Sequence, residues 1–207
     1  MVVNLNYEER RNRERLDQQQ AQIDKLESIL EVVERCERLL ETTSDMRQMM
    51  NIFVGLKRDF ADEFLIFNLY QLAIPLFTPL LKQKMNQWRP FARDKTETSA
   101  QFESDPFYCL DIYSDLKDLF RAESYQSAVN PFHRLIWETW MVSFRKQLLQ
   151  ESIRACTDTC VDILNAWSRV LPKYVYENIL EQLVLVKLRY EVEVWNPLVD
   201  PVSDLII

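Results

Sequence analysis

A chain of 207 residues with a single glycine, Gly55, has few folds open to it. Phosphate-cradling loops need several glycines, because only a backbone without Cβ approaches a phosphate closely enough. The nucleophile elbow of hydrolases needs two around its serine. Tight two-residue hairpins also favour glycine at positive φ, so a hairpin-rich β-protein is disfavoured. Abundant Leu, Glu, Gln, Arg and Lys point instead to helices joined by short polar turns.

The content is 47% hydrophobic and 28% charged, that of a folding chain rather than a disordered one. The formal charge of −7 argues against phosphate-driven affinity for nucleic acid, which depends on Lys and Arg displacing counterions. Cys36, Cys109, Cys156 and Cys160 are dispersed, without the spacing of a disulfide framework, and read as reduced intracellular thiols. Charged residues crowd the N-terminus from Glu8, so no signal peptide is expected. The longest uncharged run, 64–81, holds amides and Pro75 and Pro79, and no membrane partner is expected.

Residues 1–45 are highly charged with an apolar seam inside them. Leu16, Ile23 and Leu30 are spaced by seven, as are Leu26, Val33 and Leu40, three residues out of phase. That is an a/d heptad pattern, broken by Gln19 and Glu37. It predicts one long helix with a narrow apolar stripe, lying either on the adjacent domain or in a coiled coil with a partner. Thr42 to Asp45 reads as a turn and N-cap for the next helix.

From residue 46 onward apolar residues recur at helical spacing, apart from a polar loop over 93–105. Asn130-Pro131 predicts an N-cap and first helical position, Thr157 or Asp158 another cap, and Pro172 a restart. An internal repeat emerges on aligning Trp88-Arg89-Pro90 with Trp195-Asn196-Pro197. At 3, 7, 11 and 15 residues upstream stand Met85, Leu81, Phe77 and Ala73 in one, and Val192, Leu188, Val184 and Leu180 in the other. Leu148, Phe144, Trp140 and Ile136 keep the same offsets from Glu151, a degraded third copy. Amphipathic segments over 46–70, 107–122 and 158–171 precede the three, predicting stacked helix pairs. The fold class expected is all-α: a long coiled-coil-like helix over 1–45, then an irregular, solenoid-like helical-repeat domain over 46–207.

Few residues suggest chemistry. His133 is the only histidine, and Cys156 and Cys160 with one remote histidine are a weak zinc pattern against paired Cys-x-x-Cys knuckles. Nearly every carboxylate on a helix lies within a turn of Lys or Arg, and they read as solvated helix faces. No catalytic residue, metal site or cofactor is expected, and the chain is not expected to be an enzyme. Lys82, Lys84, Arg89, Arg93 and Lys95 form a basic stretch against Asp94 alone. It reads as cations at a helix C-terminus or as a contact for RNA phosphate or an acidic partner. Trp137 and Trp140, three apart, read as core or as an aromatic binding spot. The candidate partner-binding residues are therefore Leu16, Ile23, Leu26, Leu30, Val33 and Leu40 of the seam, with the five cations.

Three runs carry a resemblance: 132–140 (FHRLIWETW), 163–172 (ILNAWSRVLP) continued by 178–183 (NILEQL), and 193–198 (EVWNPL). They closely resemble the septin- and tuftelin-interacting protein family, with its GC-rich-sequence DNA-binding-factor-like (GCFC) domain. Val2 to Leu5 and Leu30 to Arg38 are similar to the same family, so the likeness spans nearly the whole chain. It implies a nuclear pre-mRNA splicing factor whose glycine-rich G-patch recruits a DEAH-box helicase to disassemble the intron-lariat spliceosome. One glycine leaves no G-patch in this chain. The resemblance is thus to a central piece of such a protein, with its helical domain expected to continue beyond residue 207. The partners it implies are spliceosomal proteins, a second GCFC-domain protein, and the helicase through a segment outside this chain. Direct RNA or DNA binding through 82–95, or a coiled-coil adaptor to septins, are the rival expectations. The family often has proline where this chain has Val142 and Val186, and tryptophan where it has Glu151.

Overall fold

The structure is a computed structural model describing residues 2–42, 45–92, 103–121 and 130–196, with side chains from Tyr7 onward. Among the described residues the chain is all-helical; one isolated bridge pairs Trp88 with Glu103. It divides into two compact units, Met1–Leu69 and Tyr70–Ile207.

In the first unit, α1 runs over Val2–Thr42, α2 over Met46–Asp59 and α3 over Ala61–Ile66. The Asp45 side chain accepts from the N–H groups of Arg47 and Gln48, so the N-cap expected within Thr42 to Asp45 is its last residue. Met46, Met49, Met50, Phe53 and Leu56 of α2 are buried on one helical face, with Phe64 of α3. Gly55 is an ordinary helical residue with open space where a Cβ would stand, so nothing about packing requires it. Asn68, at φ 51°, ends α3, and asparagine is among the few residues that tolerate the left-handed region. α1 packs on α2, and the residues it buries, Ile29 and Cys36, lie in its second half.

In the second unit, α4 covers Ala73–Gln87, α5 Leu110–Leu119, α6 Pro131–Leu135 and α7 Met141–Gln150. Beyond these lie α8 over Ile153–Trp167, α9 over Lys173–Ile179 and α10 over Leu185–Val194. The core is aromatic. Trp140 lies 4.8 Å from Trp167 and 4.8 Å from Phe144 between ring centroids, and Trp88 is 6.1 Å from Trp140. Two of these indoles tie down the segment before α5: Trp88 Nε1 donates to the Asp105 carbonyl and Trp167 Nε1 to that of Pro106. Thr139 donates to the Leu135 carbonyl, so its oxygen is left to accept from Tyr113, 2.6 Å away.

The repeat is visible in the backbone. Trp88, Glu151 and Trp195 each follow their helix in extended conformation, with ψ of 122°, 152° and 129°. The change of winding falls in register too. π-helical segments span Ile136–Trp140 and Leu180–Val184, each starting fifteen residues before its helix-ending residue. The same offset in the first copy is Ala73, where α4 begins directly after the 3₁₀ turn Leu69–Leu72. The contact between copies also repeats. Ser143, eight residues before Glu151, donates to the Met85 carbonyl at the end of α4. Lys187, eight before Trp195, donates to the Glu151 carbonyl after α7. In both, a polar side chain donates to a carbonyl at the end of the preceding copy's helix.

Four expectations need correction. Asn130 and Pro131 cap and open α6 as predicted, but α8 begins at Ile153, not after a cap at Thr157 or Asp158. A kink at Cys156 (φ −125°) interrupts it there, and the Thr157 hydroxyl donates back to the Ile153 carbonyl instead of capping. The three copies are not equally covered: Ala73, Phe77, Leu81 and Met85 are buried, as are Ile136, Trp140, Phe144 and Leu148, while Leu180 and Val192 are exposed. Trp195 is correspondingly half-buried where Trp88 is fully buried, so the two are equivalent in backbone but not in burial. Finally, the segment 46–70 that would open a first helix pair falls almost wholly in the other compact unit. Most of the predicted loop, 93–102, lies outside the described residues.

Candidate functional site

The heptad seam does not behave as one face. Leu16 and Leu30 are 65% and 57% exposed and Ile23 and Leu26 nearly half exposed, whereas Val33 and Leu40 are half-buried on the side facing α2. The residues α1 does bury are Ile29 and Cys36, seven apart on the flank of the seam. That spacing was equally present in the sequence, but a small thiol in a charged stretch carries little apolar weight. α1 is also joined to α3, where Lys25 Nζ lies 2.8 Å from Glu63. The hydrogen bond between them raises the Lys25 pKa and lowers that of Glu63. From Tyr7 through Ser28 the α1 side chains are exposed, so an apolar stripe from Leu16 to Leu30 stands open between charged flanks.

The basic stretch disperses. Lys82 and Lys84 are two positions apart on α4 and point to faces about 200° apart. Lys82 is exposed, while Lys84 is half-buried and close enough to Cys109 to lower its thiol pKa against the rise caused by burial. Arg89 turns its guanidinium to the Trp88 carbonyl at 3.1 Å. Arg93 and Lys95 lie outside the described residues. The described cations therefore do not gather into one phosphate-facing row. Lys84 sits in the last turn of α4, where a cation complements the helix dipole.

The tryptophan pair divides as well: Trp140 is in the core and Trp137 is 43% exposed. His133 lies 5.5 Å from the ring of Tyr174, and partial burial together with Lys117 lowers its pKa. Cys156 and Cys160 are buried in α8. Burial pushes the thiols of Cys109 and Cys160 up to about 11 and raises that of Cys36. A raised pKa leaves little thiolate near neutrality, so these groups suit packing rather than nucleophilic chemistry. At pH 8, iodoacetamide is expected to label Cys36, Cys109 and Cys160 at least about tenfold more slowly in the folded chain than in urea. Labelling of any of the three at the unfolded rate in the folded chain contradicts this burial. No helix among the described residues is long and apolar enough to cross a membrane.

Among the described residues the features that stand out are exposed surfaces, the α1 stripe above all. Comparison with known proteins agrees in kind. The profile of the GC-rich sequence DNA-binding factor-like protein family matches residues 46–206. Tuftelin-interacting protein 11 of Homo sapiens is 34% identical over 212 residues, covering 98% of this chain. The Xenopus laevis and Bos taurus proteins of that name are 33% and 35% identical, again over 98% of the chain. The chain spans about a quarter (24%) of the length of these relatives. The names of the family and of the relatives describe binding, not a reaction.

Proposed function

From the premise that the chain belongs to the GC-rich sequence DNA-binding factor-like (GCFC) family, with tuftelin-interacting proteins as relatives along its whole length, we propose that it is a non-catalytic interaction scaffold of a nuclear pre-mRNA splicing factor. In this role it holds a DEAH-box helicase activator on the intron-lariat spliceosome during disassembly. The activating segment is a glycine-rich G-patch outside these 207 residues. The observation that carries the proposal is the likeness to the splicing family along the chain, in the runs 132–140, 163–172 and 193–198 above all.

The physical features agree with a scaffold. A helical-repeat body with a buried aromatic core presents long exposed faces, and α1 carries an open apolar stripe. Direct nucleic-acid binding is not favoured, given the net charge of −7 and the divergence of Lys82 and Lys84. The purified chain is expected neither to hydrolyse ATP nor to stimulate a DEAH-box helicase, and its retention of RNA should be weak. Helicase stimulation comparable to that of a G-patch-containing protein contradicts the proposal. So does tight RNA binding with a steep loss of affinity on adding salt, the signature of phosphate contacts.

A further inference from the structure

The open stripe on α1 has an internal symmetry that selects its occupant. Along the helix the seam positions are Leu16, Gln19, Ile23, Leu26, Leu30, Val33, Glu37 and Leu40. Read from either end, the order is apolar, polar, four apolar, polar, apolar. The centre of this palindrome is residue 28. We propose that α1 pairs with α1 of a second copy in an antiparallel coiled coil centred there.

In that register Leu16 meets Leu40 of the second copy, Ile23 meets Val33, and Leu26 meets Leu30, so each apolar residue faces an apolar one. The two polar seam residues face each other, Gln19 against Glu37, and an amide can donate to a carboxylate. Arg13 is set beside Glu41 of the second copy on the flank. A parallel pair would instead place Glu37 against Glu37 inside the seam, at a cost in repulsion and desolvation. An antiparallel pair shifted by one heptad would set Gln19 against Leu30. Of these, only the centred antiparallel register matches every seam position. The overlap of residues 16–40 covers about 37 Å of helix, or three and a half heptads.

The surface is free to take this partner. Leu16, Ile23, Leu26 and Leu30 are exposed. α2 sits on the flank of the seam that carries Ile29 and Cys36. The opposite flank, with Gln20, Glu27 and Glu34, is exposed. Val33 and Leu40, half-buried on α2's side, retain surface that the second copy would cover. One contact in the register is unfavourable: Glu27 meets Glu27 of the second copy at the symmetry axis.

The test uses the full 207-residue chain. Sedimentation velocity should show a monomer–dimer equilibrium. Leu26→Asp should weaken it at least about tenfold by burying charge in the seam, with thermal unfolding unchanged because Leu26 is exposed. Glu27→Gln should tighten it about two- to fivefold, the size of an exposed charge effect. In a parallel pair Glu27 faces Gln22, and the substitution would gain nothing. Orientation is read by disulfide trapping, with the wild-type chain as the blank. Leu26→Cys mixed with Leu30→Cys should give a cross-linked dimer, and either variant alone should give little. A chain that stays monomeric up to about 100 µM overturns the proposal, since that bounds any affinity as negligible. So does efficient trapping of Leu26→Cys alone, or a Leu26→Asp variant that associates as tightly as wild type. Capture of an amphipathic helix from another protein by a monomeric chain overturns it as well.

Discussion

Replacing Trp88 with alanine is expected to lower unfolding stability by about 3–5 kcal/mol, the usual cost of truncating a large buried aromatic. Trp88 has no exposed surface, touches Trp140, Trp167 and Phe144, and donates its indole N–H to the Asp105 carbonyl. The substitution opens a cavity between α4 and the helices of the second copy and leaves a carbonyl without its donor. Its repeat counterpart Trp195 is half-buried, and its indole nitrogen has no partner among the described residues. Trp195→Ala should therefore cost much less, about 1 kcal/mol or under, a normal value for a site with little packing to lose. Urea unfolding followed by circular dichroism measures both. Equal losses would mean that the two copies are packed alike, contrary to the burial described above.

The second large effect concerns the same asymmetry along a helix. Phe144 and Leu188 both lie seven residues before their helix-ending residue, but Phe144 is fully buried and stacks on Trp140 at an interplanar angle of 9°. Phe144→Ala is expected to cost about 3–5 kcal/mol. Leu188, on a helix with no buried residue, is half-buried, and Leu188→Ala should cost about 1 kcal/mol. A loss at Leu188 as large as that at Phe144 would show that the final copy carries as much core as the second.

Much of this fold is legible before any coordinates. Asp45 and Asn130-Pro131 mark helix starts because their side chains and ring meet a local need that no distant contact alters. Trp88 ends α4 in extended conformation two residues before Pro90, but Glu151 ends α7 in the same way with no proline after it, so the proline is not what the three endings share. Other features depend on what lies across the interface. The kink at Cys156 has no proline or glycine to announce it. The π segments keep the apolar spacing of an ordinary helix, so periodicity alone does not separate them, and their common offset from Glu151 and Trp195 shows only in the backbone. The exposed stripe of α10 reads in sequence just as the buried stripe of α4 does, because pattern encodes amphipathicity and not the presence of a covering element.

The candidate surfaces were legible to a similar depth. The apolar stripe on α1 is where the heptads place it, but the face that meets α2 is offset onto Ile29 and Cys36, flank positions that a strict seam ignores. The basic stretch was grouped by closeness along the chain. On a helix, neighbours two residues apart diverge, and Lys82 and Lys84 separate accordingly.

In the proposed scaffold role the chain binds protein surfaces of the spliceosome rather than nucleic acid or a substrate. The most direct experiment is to carry the purified 207-residue chain, with a photo-crosslinking residue at Ile66 or Val142, through staged splicing reactions in nuclear extract. Both positions are exposed, on α3 and α7, so a probe there disturbs neither the core nor the α1 seam. Crosslinks to spliceosomal proteins are expected to rise once the intron lariat has been released from the mRNA. Crosslinks confined to RNA, or no enrichment on spliceosomal complexes at any stage, would contradict the scaffold role.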